Sequence, residues 1–330
     1  MKTRGMILAA LILLVGNVSA KKKVIPITLS GENLTALTKV TDCEEPCISP
    51  YGGDNGKDLF FAVRENKQYY NIYKKENAFS ASMSQKTSGN NFNISTAYNA
   101  ATDRFAFRCQ LEGASTSDIY AMDNSQGKAL SQITESSDAY EDNPCFSTDG
   151  KYLVYDKTMK SYYKVQTGSG LWSLFGFSSY SIVMVSRGEI WMRNLQTGEN
   201  TLLGDGVQPA FSPDGKQIVY VKYSADAKSC SIWTMNVDGS NPTQLTDAKK
   251  GYAFHPRFSP DGKKIVFDCY KNDKKDNDIY IIDVDGNNLT QITINKSYDG
   301  QPYWTTDGFL YFVSDRGGKA GNRQIWRCKL

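Results

Sequence analysis

The sequence has 330 residues, of which 12% are aromatic, and its 38 Lys and Arg against 35 Asp and Glu give a net charge of +3. So small a positive charge gives no electrostatic reason to bind the phosphate backbone of a nucleic acid, and no nucleic-acid partner is expected. The chain is also too long for a typical domain with one hydrophobic core, which favours a repeat architecture.

The first twenty residues have the pattern of a secretory signal peptide. Lys2 and Arg4 precede an apolar run from Met6 to Val15, and small residues follow up to Ala20. The run is too short to span a bilayer, which argues against the alternative of an uncleaved anchor. We therefore expect cleavage after Ala20, a periplasmic or secreted mature chain of residues 21–330, and no membrane span in that chain.

The pattern of about residues 33–39 predicts a short strand that precedes the first repeat and has no pairing partner close to it in the sequence. At the other end, the last repeat stops after its third strand, Gln324–Cys328. Pairing of the two segments would cover two exposed sheet edges, which otherwise promote aggregation. The N-terminal strand is therefore predicted to complete the last sheet and to join the two ends of the chain into a closed ring of sheets.

One motif recurs along the chain. Residues 209–216 read Pro-Ala-Phe-Ser-Pro-Asp-Gly-Lys, residues 256–263 and 144–151 are close copies, and residues 302–308 are a looser one. Each copy has the chemistry of a hairpin, because Asp and Gly accept the backbone angles of a tight turn between two alternating strands. A third strand, a second Asp-Gly turn and a short fourth strand follow, as in Thr243-Gln244-Leu245-Thr246.

Four antiparallel strands that recur at roughly 40–50 residues are typical of a β-propeller, so residues 21–330 are predicted to be a single all-β domain. Seven blades are favoured. The alternative is six blades with an insertion near residues 157–188. The second strands that give the count of seven begin at Leu59, Phe105, Tyr152, Ile182, Ile218, Ile265 and Phe309.

The sequence Phe-Ser-Pro-Asp-Gly-Lys, with Ile-Tyr-x-x-Asp-x-Asp-Gly and Gln-Leu-Thr after it, resembles the repeat of the TolB-like, WD-repeat-like β-propeller family. The resemblance runs from about Leu34 to Leu330. It implies a binding protein, because the propeller of TolB binds the peptidoglycan-associated lipoprotein in the periplasm. TolB also carries an α/β domain before its propeller, which we do not expect here, so only the binding role carries over.

A funnel at one mouth of the propeller is the predicted binding site. The first strand of each blade lines the central channel, and the residue before the recurrent Pro is polar in nearly every repeat. These side chains either grip a peptide or sugar, or satisfy backbone groups at the strand starts. The predicted binding residues, which include one cation and one aromatic ring just after the Pro, are Glu45, Asn91, Asn143, Gln208, His255, Arg257, Gln301 and Tyr303.

The residues give no support for catalysis. His255 is the only histidine, so a metal site built on several histidines is not expected, and neither is any other cofactor. A Gly-x-Ser-x-Gly nucleophile motif is absent from the sequence. The seven cysteines are expected to be mostly buried, unbridged thiols.

The leading hypothesis is a monomeric, non-catalytic scaffold in the cell envelope that binds envelope proteins, such as a partner similar to the peptidoglycan-associated lipoprotein. One alternative is a carbohydrate-binding or carbohydrate-active propeller, which predicts paired carboxylates in the channel. Another is an accessory propeller for a partner enzyme.

Overall fold

The computed structural model describes residues 32, 34–52, 57–125, 130–159, 162–166, 180–184, 188–247, 251–270 and 277–330. Every regular element in these ranges is a β-strand. A membrane-spanning helix is not found among the described residues. The signal peptide predicted at residues 1–20 lies outside the described residues.

The strands follow one another through the whole described chain. The first nine are β1 (Thr35–Lys39), β2 (Cys47–Tyr51), β3 (Lys57–Glu65), β4 (Tyr69–Asn77), β5 (Ser84–Gln85), β6 (Phe92–Asn99), β7 (Arg104–Gln110), β8 (Asp118–Asp123) and β9 (Ser131–Gln132). The next six are β10 (Ala139–Phe146), β11 (Tyr152–Met159), β12 (Tyr162–Gln166), β13 (Tyr180–Met184), β14 (Gly188–Asn194) and β15 (Asn200–Asp205). The last eleven are β16 (Val207–Phe211), β17 (Gln217–Tyr223), β18 (Cys230–Asn236), β19 (Thr243–Gln244), β20 (Tyr252–Phe258), β21 (Lys264–Tyr270), β22 (Asn277–Asp283), β23 (Thr290–Gln291), β24 (Asp299–Trp304), β25 (Phe309–Ser314) and β26 (Gln324–Lys329).

Antiparallel pairing groups these strands into four-stranded sheets, of which the described residues contain six. Sheet 1 is β2–β5, sheet 2 is β6–β9, sheet 3 is β10, β11, β14 and β15, sheet 4 is β16–β19, sheet 5 is β20–β23, and sheet 6 is β24–β26 with β1. Single parallel bridges, Tyr70 to Phe92 and Cys230 to Tyr252, link sheet 1 to sheet 2 and sheet 4 to sheet 5.

The Asp-Gly turns explain why the repeats fold as hairpins. In sheet 3, Ser147 Oγ and Lys151 N both donate hydrogen bonds to Asp149 Oδ1, at 2.7 Å and 3.1 Å. Gly150 has a φ of 69°, a left-handed conformation that glycine adopts without steric cost. The same side-chain pattern recurs in residues 212–216 and 259–263. The motif read from the sequence is therefore a self-contained turn.

The N-terminal strand pairs with the last strand, as predicted. β1 runs antiparallel to β26, with Thr38 opposite Arg327 and Lys39 opposite Trp326. Leu34 and Leu37 pack on the apolar cluster that contains Trp326. The outer edge of sheet 6 is thus covered by residues almost 300 positions away, which removes an exposed sheet edge.

The preference for seven four-stranded units is not met among the described residues. β11 and β14 pair directly, in an unbroken antiparallel ladder from Tyr152–Asn194 to Thr158–Gly188. This ladder occupies the edge of β11 that is not paired with β10, and β12 and β13 pair with each other as a separate two-stranded hairpin. The strand pairing therefore agrees with the alternative of six sheets and an insertion near residues 157–188.

The core lies between neighbouring sheets. The first strands contact each other in the order β2, β6, β10, β16, β20 and β24, and β24 in turn contacts β2. Sheets 6 and 1 share an apolar cluster that includes Tyr311, Ile325, Leu59 and Phe61. All seven cysteines are free thiols, and five of them are buried. These packing contacts bring the first strands together around one axis, where the predicted site lies.

Candidate functional site

Each of the six first strands carries a β-bulge at the same point of the repeat. The pairing of first and second strands shifts register there in every sheet. One non-glycine residue in each bulge has a φ between 50° and 55°. A bulge leaves backbone groups without a partner in the ladder, and those groups need other partners. The bulge residues are Ser49, Ser95, Asn143, Gln208, His255 and Gln301.

Polar side chains of the preceding sheet supply several of these partners. Gln208 Oε1 accepts from the His255 N–H at 2.7 Å. Gln301 Oε1 accepts from the Ser49 N–H at 2.8 Å, which joins sheet 6 to sheet 1. The side chains of these two predicted binding residues thus accept hydrogen bonds from backbone N–H groups of the next sheet. This is the structural role that the sequence analysis gave as the alternative to ligand binding.

Two buried aspartates on the second strands also accept hydrogen bonds from bulge residues. Asp156 Oδ1 accepts from the Gln208 N–H at 2.8 Å and from Asn143 Nδ2 at 2.9 Å. Asp268 Oδ1 accepts from the Gln301 N–H at 3.0 Å and lies 2.8 Å from His255 Nδ1. The sequence reasoning missed both aspartates, although their alignment in the middle of the second strands of two repeats was a readable signal.

Two of the predicted mouth residues lie elsewhere. Glu45 precedes β2 and forms an ion pair with Arg64 at 2.7 Å. Asn91 precedes β6, and its Oδ1 accepts from the Glu112 N–H at 3.1 Å. In these two repeats the bulge residues are Ser49 and Ser95 instead. The prediction took Pro46 as the repeat's proline in sheet 1, whereas the bulge residue Ser49 precedes Pro50. In sheet 2, Thr96 occupies the position of this proline.

The bulges surround a narrow neck, and a larger cavity opens on the side of the Asp-Gly turns. The neck has a volume of about 50 Å³ and is lined by bulge residues and the residues that follow them. The larger cavity, called here the turn-side cavity, has a volume of about 560 Å³. Every sheet contributes to its lining, which includes Tyr51, Asn99, Cys145, Ala210, Arg257 and Tyr303.

The turn-side cavity has unequal walls. Sheets 3 and 4 present the small side chains of Cys145 and Ala210, whereas sheets 5, 6 and 1 present Arg257, Tyr303 and Tyr51. The rings of Tyr51 and Tyr303 lie 4.3 Å apart between centroids, with an interplanar angle of 36°. Space is therefore open beside the guanidinium and the two phenols.

The charge in this cavity comes from Arg257. Its Nη1 donates to the Pro256 carbonyl oxygen at 2.9 Å, and no ion pair joins it to a carboxylate among the described residues. Burial raises the pKa of the Tyr51 phenol, and it also raises the pKa of the Cys145 thiol. Because both neighbours are neutral at physiological pH, neither compensates the positive charge.

The opposite side of the neck holds a pair of carboxylates. Asp142 and Asp156 lie opposite one another in the ladder of β10 and β11. Burial, with a smaller contribution from the charge of Asp142, raises the pKa of Asp156 to about 8. Asp142 forms an ion pair with Arg108 at 3.4 Å. No cluster of three or more His, Cys, Asp or Glu residues suited to a metal ion occurs in the described ranges.

Comparison with known proteins supports the family seen in the repeats. Residues 178–330 match the model of the TolB beta propeller domain. A comparison with curated proteins found no match. Three similar solved structures share between 15% and 19% of their residues with this chain. A TolB from Agrobacterium tumefaciens is 18% identical, with 89% of this chain and 96% of that chain covered and a TM-score of 0.60.

The TolB of Acinetobacter baumannii is 19% identical, with 84% of this chain and 65% of that chain covered and a TM-score of 0.56. An oligogalacturonate lyase from Vibrio parahaemolyticus is 15% identical, with 89% of this chain and 93% of that chain covered and a TM-score of 0.55. At these identities the likeness establishes the fold alone. The same fold occurs in two proteins described as TolB and in an oligogalacturonate lyase, so it does not by itself indicate a function.

Proposed function

From the premise that residues 178–330 are a TolB beta propeller domain, we propose that this chain is a non-catalytic, protein-binding scaffold of the cell envelope. The six sheets are its blades, arranged in a closed ring with β1 in the last blade. The protein is exported after cleavage at Ala20 and acts in the periplasm as a monomer. Its partner is an envelope protein, such as one similar to the peptidoglycan-associated lipoprotein.

The turn-side cavity is the observation that carries this proposal. It takes lining residues from all six sheets and has room for a few amino-acid side chains in its 560 Å³. Cavities at the end of a propeller channel combine side chains from many loops, which suits the recognition of a protruding segment of another protein. The bulge residues below it support the scaffold by holding neighbouring sheets together.

Affinity capture tests this function. The mature chain, residues 21–330, would be immobilised and exposed to envelope extract, beside an Ala101→Arg variant that fills the exposed rim of the cavity. A matched Ala114→Arg variant adds the same charge in the turn between β7 and β8, at the opposite end of the sheets. We expect one envelope protein to bind the mature chain and the Ala114 variant and to be lost from the Ala101 variant.

Two results would overturn the scaffold function. One is retention of the captured protein by the Ala101 variant together with its loss from the Ala114 variant. The other is recovery of no protein at all, combined with clear binding of oligosaccharides. The mass of the exported protein tests the localisation separately, because cleavage after Ala20 leaves Lys21 as the first residue.

A carbohydrate-active propeller is the second candidate, and the Asp142–Asp156 pair favours it. A carboxyl with a pKa of about 8 is protonated at neutral pH, as a general acid must be, and Asp142, which pairs with Arg108, lies opposite it in the ladder. Release of new reducing ends from neutral or acidic oligosaccharides, lost on Asp156→Asn, would support this candidate. The absence of any product with a broad oligosaccharide panel would remove it.

A further inference from the structure

Arg257 stands apart from several other arginines of the chain. Arg64, Arg104 and Arg108 have carboxylate partners at 2.7–3.4 Å, and Arg316 is held by two of them. Arg257 is half-buried and has only a backbone carbonyl as acceptor among the described residues. A guanidinium that is partly removed from water without a counter-ion is well prepared to bind an anion, and its planar donors match a carboxylate in two-point geometry.

The walls leave space for that anion. Cys145 and Ala210 are short side chains on sheets 3 and 4, so the volume next to the guanidinium is not filled. Phe211, Phe258 and Trp304 add apolar surface around the same cavity. A ligand that combines one carboxylate with apolar groups would therefore satisfy the charge and bury apolar area at once.

The polar groups around the cavity argue against a sugar. Ser147 Oγ, Ser212 Oγ and Thr305 Oγ1 donate to Asp149, Asp214 and Asp307 within their own turns. Asn99 Nδ2 donates to the carbonyl oxygens of Ser147 and Thr148. A saccharide needs many partners for its hydroxyl groups, whereas an acidic side chain between apolar residues needs mainly the guanidinium.

The rim does not repel such a segment strongly. Asp149 and Asp214 are exposed on the turns, and each carries a lysine neighbour, at 3.2 Å from Lys151 and 3.9 Å from Lys216. These opposite charges largely cancel on these two turns, and solvent screens the charges of the exposed rim. The guanidinium inside the cavity is screened less because it is half-buried.

We propose that Arg257 binds the carboxylate of an acidic peptide segment, an Asp or Glu side chain flanked by apolar residues, inside the turn-side cavity. This assignment rests on the proposed protein-binding function and names the chemistry of the partner segment. Tyr51 and Tyr303 form the wall against which the apolar flank of that segment packs.

Selection from a random peptide library tests the assignment with three forms of the mature chain: wild type, Arg257→Gln and Lys263→Gln. The Lys263 variant removes the same charge from an exposed position on the neighbouring turn, so it serves as the matched control. We expect peptides with an Asp or Glu between apolar residues to be enriched by the wild type and by the Lys263 variant but not by the Arg257 variant. Replacement of that acid by its amide should weaken binding about tenfold or more.

Enrichment of peptides without an acid, equal enrichment by the Arg257 variant, or no enrichment at all would overturn the assignment. An oligogalacturonate is the second probe, because it carries its carboxylates on sugar rings. Saturable binding of this probe that depends on Arg257, without acidic peptides, would also overturn the peptide assignment. Capture of an envelope protein by the Arg257 variant would leave the scaffold function standing while the carboxylate site fails.

Discussion

The side-chain oxygen of Gln301 accepts a hydrogen bond from the backbone N–H of Ser49 at 2.8 Å, although 252 residues separate them in the chain. Gln208 and His255 have the same relationship between sheets 4 and 5. The bulge residue of one sheet thus supplies the acceptor that the bulge of the next sheet needs. These bonds make the polar neck part of the structure that holds the sheets in register.

Replacement of Gln301 by Leu should therefore destabilise the protein. The substitution keeps most of the side-chain volume and leaves the Ser49 N–H without its acceptor, which costs about 1–3 kcal/mol in the free energy of unfolding. Urea denaturation followed by tryptophan fluorescence measures the change. Gln196→Leu, in an exposed turn, is the control and should stay within about 0.5 kcal/mol of the wild type. Equal stability of the two variants would contradict a role for the Gln301–Ser49 bond.

Arg316 should be among the most sensitive positions of the chain. Its guanidinium lies 2.5 Å from Asp299 and 3.3 Å from Glu32, and all three side chains are at most 2% exposed. Arg316→Met leaves two buried carboxylates without a cation, which should cost about 3–5 kcal/mol. Arg104→Met, which breaks a more exposed pair with Asp123, should cost no more than about 1 kcal/mol.

The result for Arg316 should also depend on pH. Burial raises the pKa of Asp299 even with the arginine present. Its protonation in acid removes part of the unpaired charge, so the loss of stability in the Arg316 variant should be smaller at low pH than at neutral pH. A loss that is independent of pH would indicate that lost packing, rather than buried charge, is the cause.

Asp156 should make stability fall as the pH rises. Its folded pKa of about 8 lies above the ordinary value of 3.8, so the folded state binds more protons between these two values than the unfolded state. The stabilisation is complete below the ordinary pKa and is lost as the pH rises through about 8, with a slope of about 1.4 kcal/mol per pH unit from this group.

Asp156→Asn should remove this slope, because the amide keeps an acceptor for Gln208 and Asn143 and does not titrate. Denaturation midpoints measured from pH 5 to about pH 8.5 would show a flatter curve than the wild type. Asp226→Asn, at an exposed position in the turn between β17 and β18, is the control and should leave the slope as it is, because the hydrogen bond from Ser224 lowers the pKa of Asp226 and keeps it below this pH range. A slope that persists in the Asp156 variant would assign it to other groups.

The segment from 160 to 187 should be dispensable for folding. Since β11 and β14 pair with each other directly up to Thr158–Gly188, Asn-Gly in place of residues 160–187 closes the same hairpin through a three-residue loop, Met159-Asn-Gly, with the glycine in the left-handed position. The shorter loop costs less closure entropy, so the free energy of unfolding should not fall and should rise by at most about 2 kcal/mol. Loss of cooperative unfolding in the shortened chain would show that the segment contributes to the core.

Several features of the fold follow from short stretches of sequence. The turn at 147–151 forms from its own Ser, Asp and Gly, and the same residues in the other repeats predict the same hairpins. The unpaired strand near residues 33–39 predicts the pairing of β1 with β26, because an exposed edge needs a partner. Four of the neck residues could be predicted because each precedes a proline in the first strand of its sheet. They are Asn143 in β10, Gln208 in β16, His255 in β20 and Gln301 in β24.

The positions that were missed depend on pairing between distant residues. Glu45 precedes a proline as His255 does, and only the register of β2 with β3 shows that Ser49 holds the bulge. Asp156 and Asp268 read as ordinary strand residues, since their acceptor role depends on backbone groups of the next sheet.

The amino-acid sequence by itself determined the repeat, its hairpins and its all-β character, because each depends on residues a few positions apart. Only the tertiary structure decided how the described strands pair into sheets and that Arg257 faces a cavity with no carboxylate partner among the described residues. The physical reason is that strand pairing and charge compensation are made between residues far apart in the chain, and local patterns carry no information about which distant group is near.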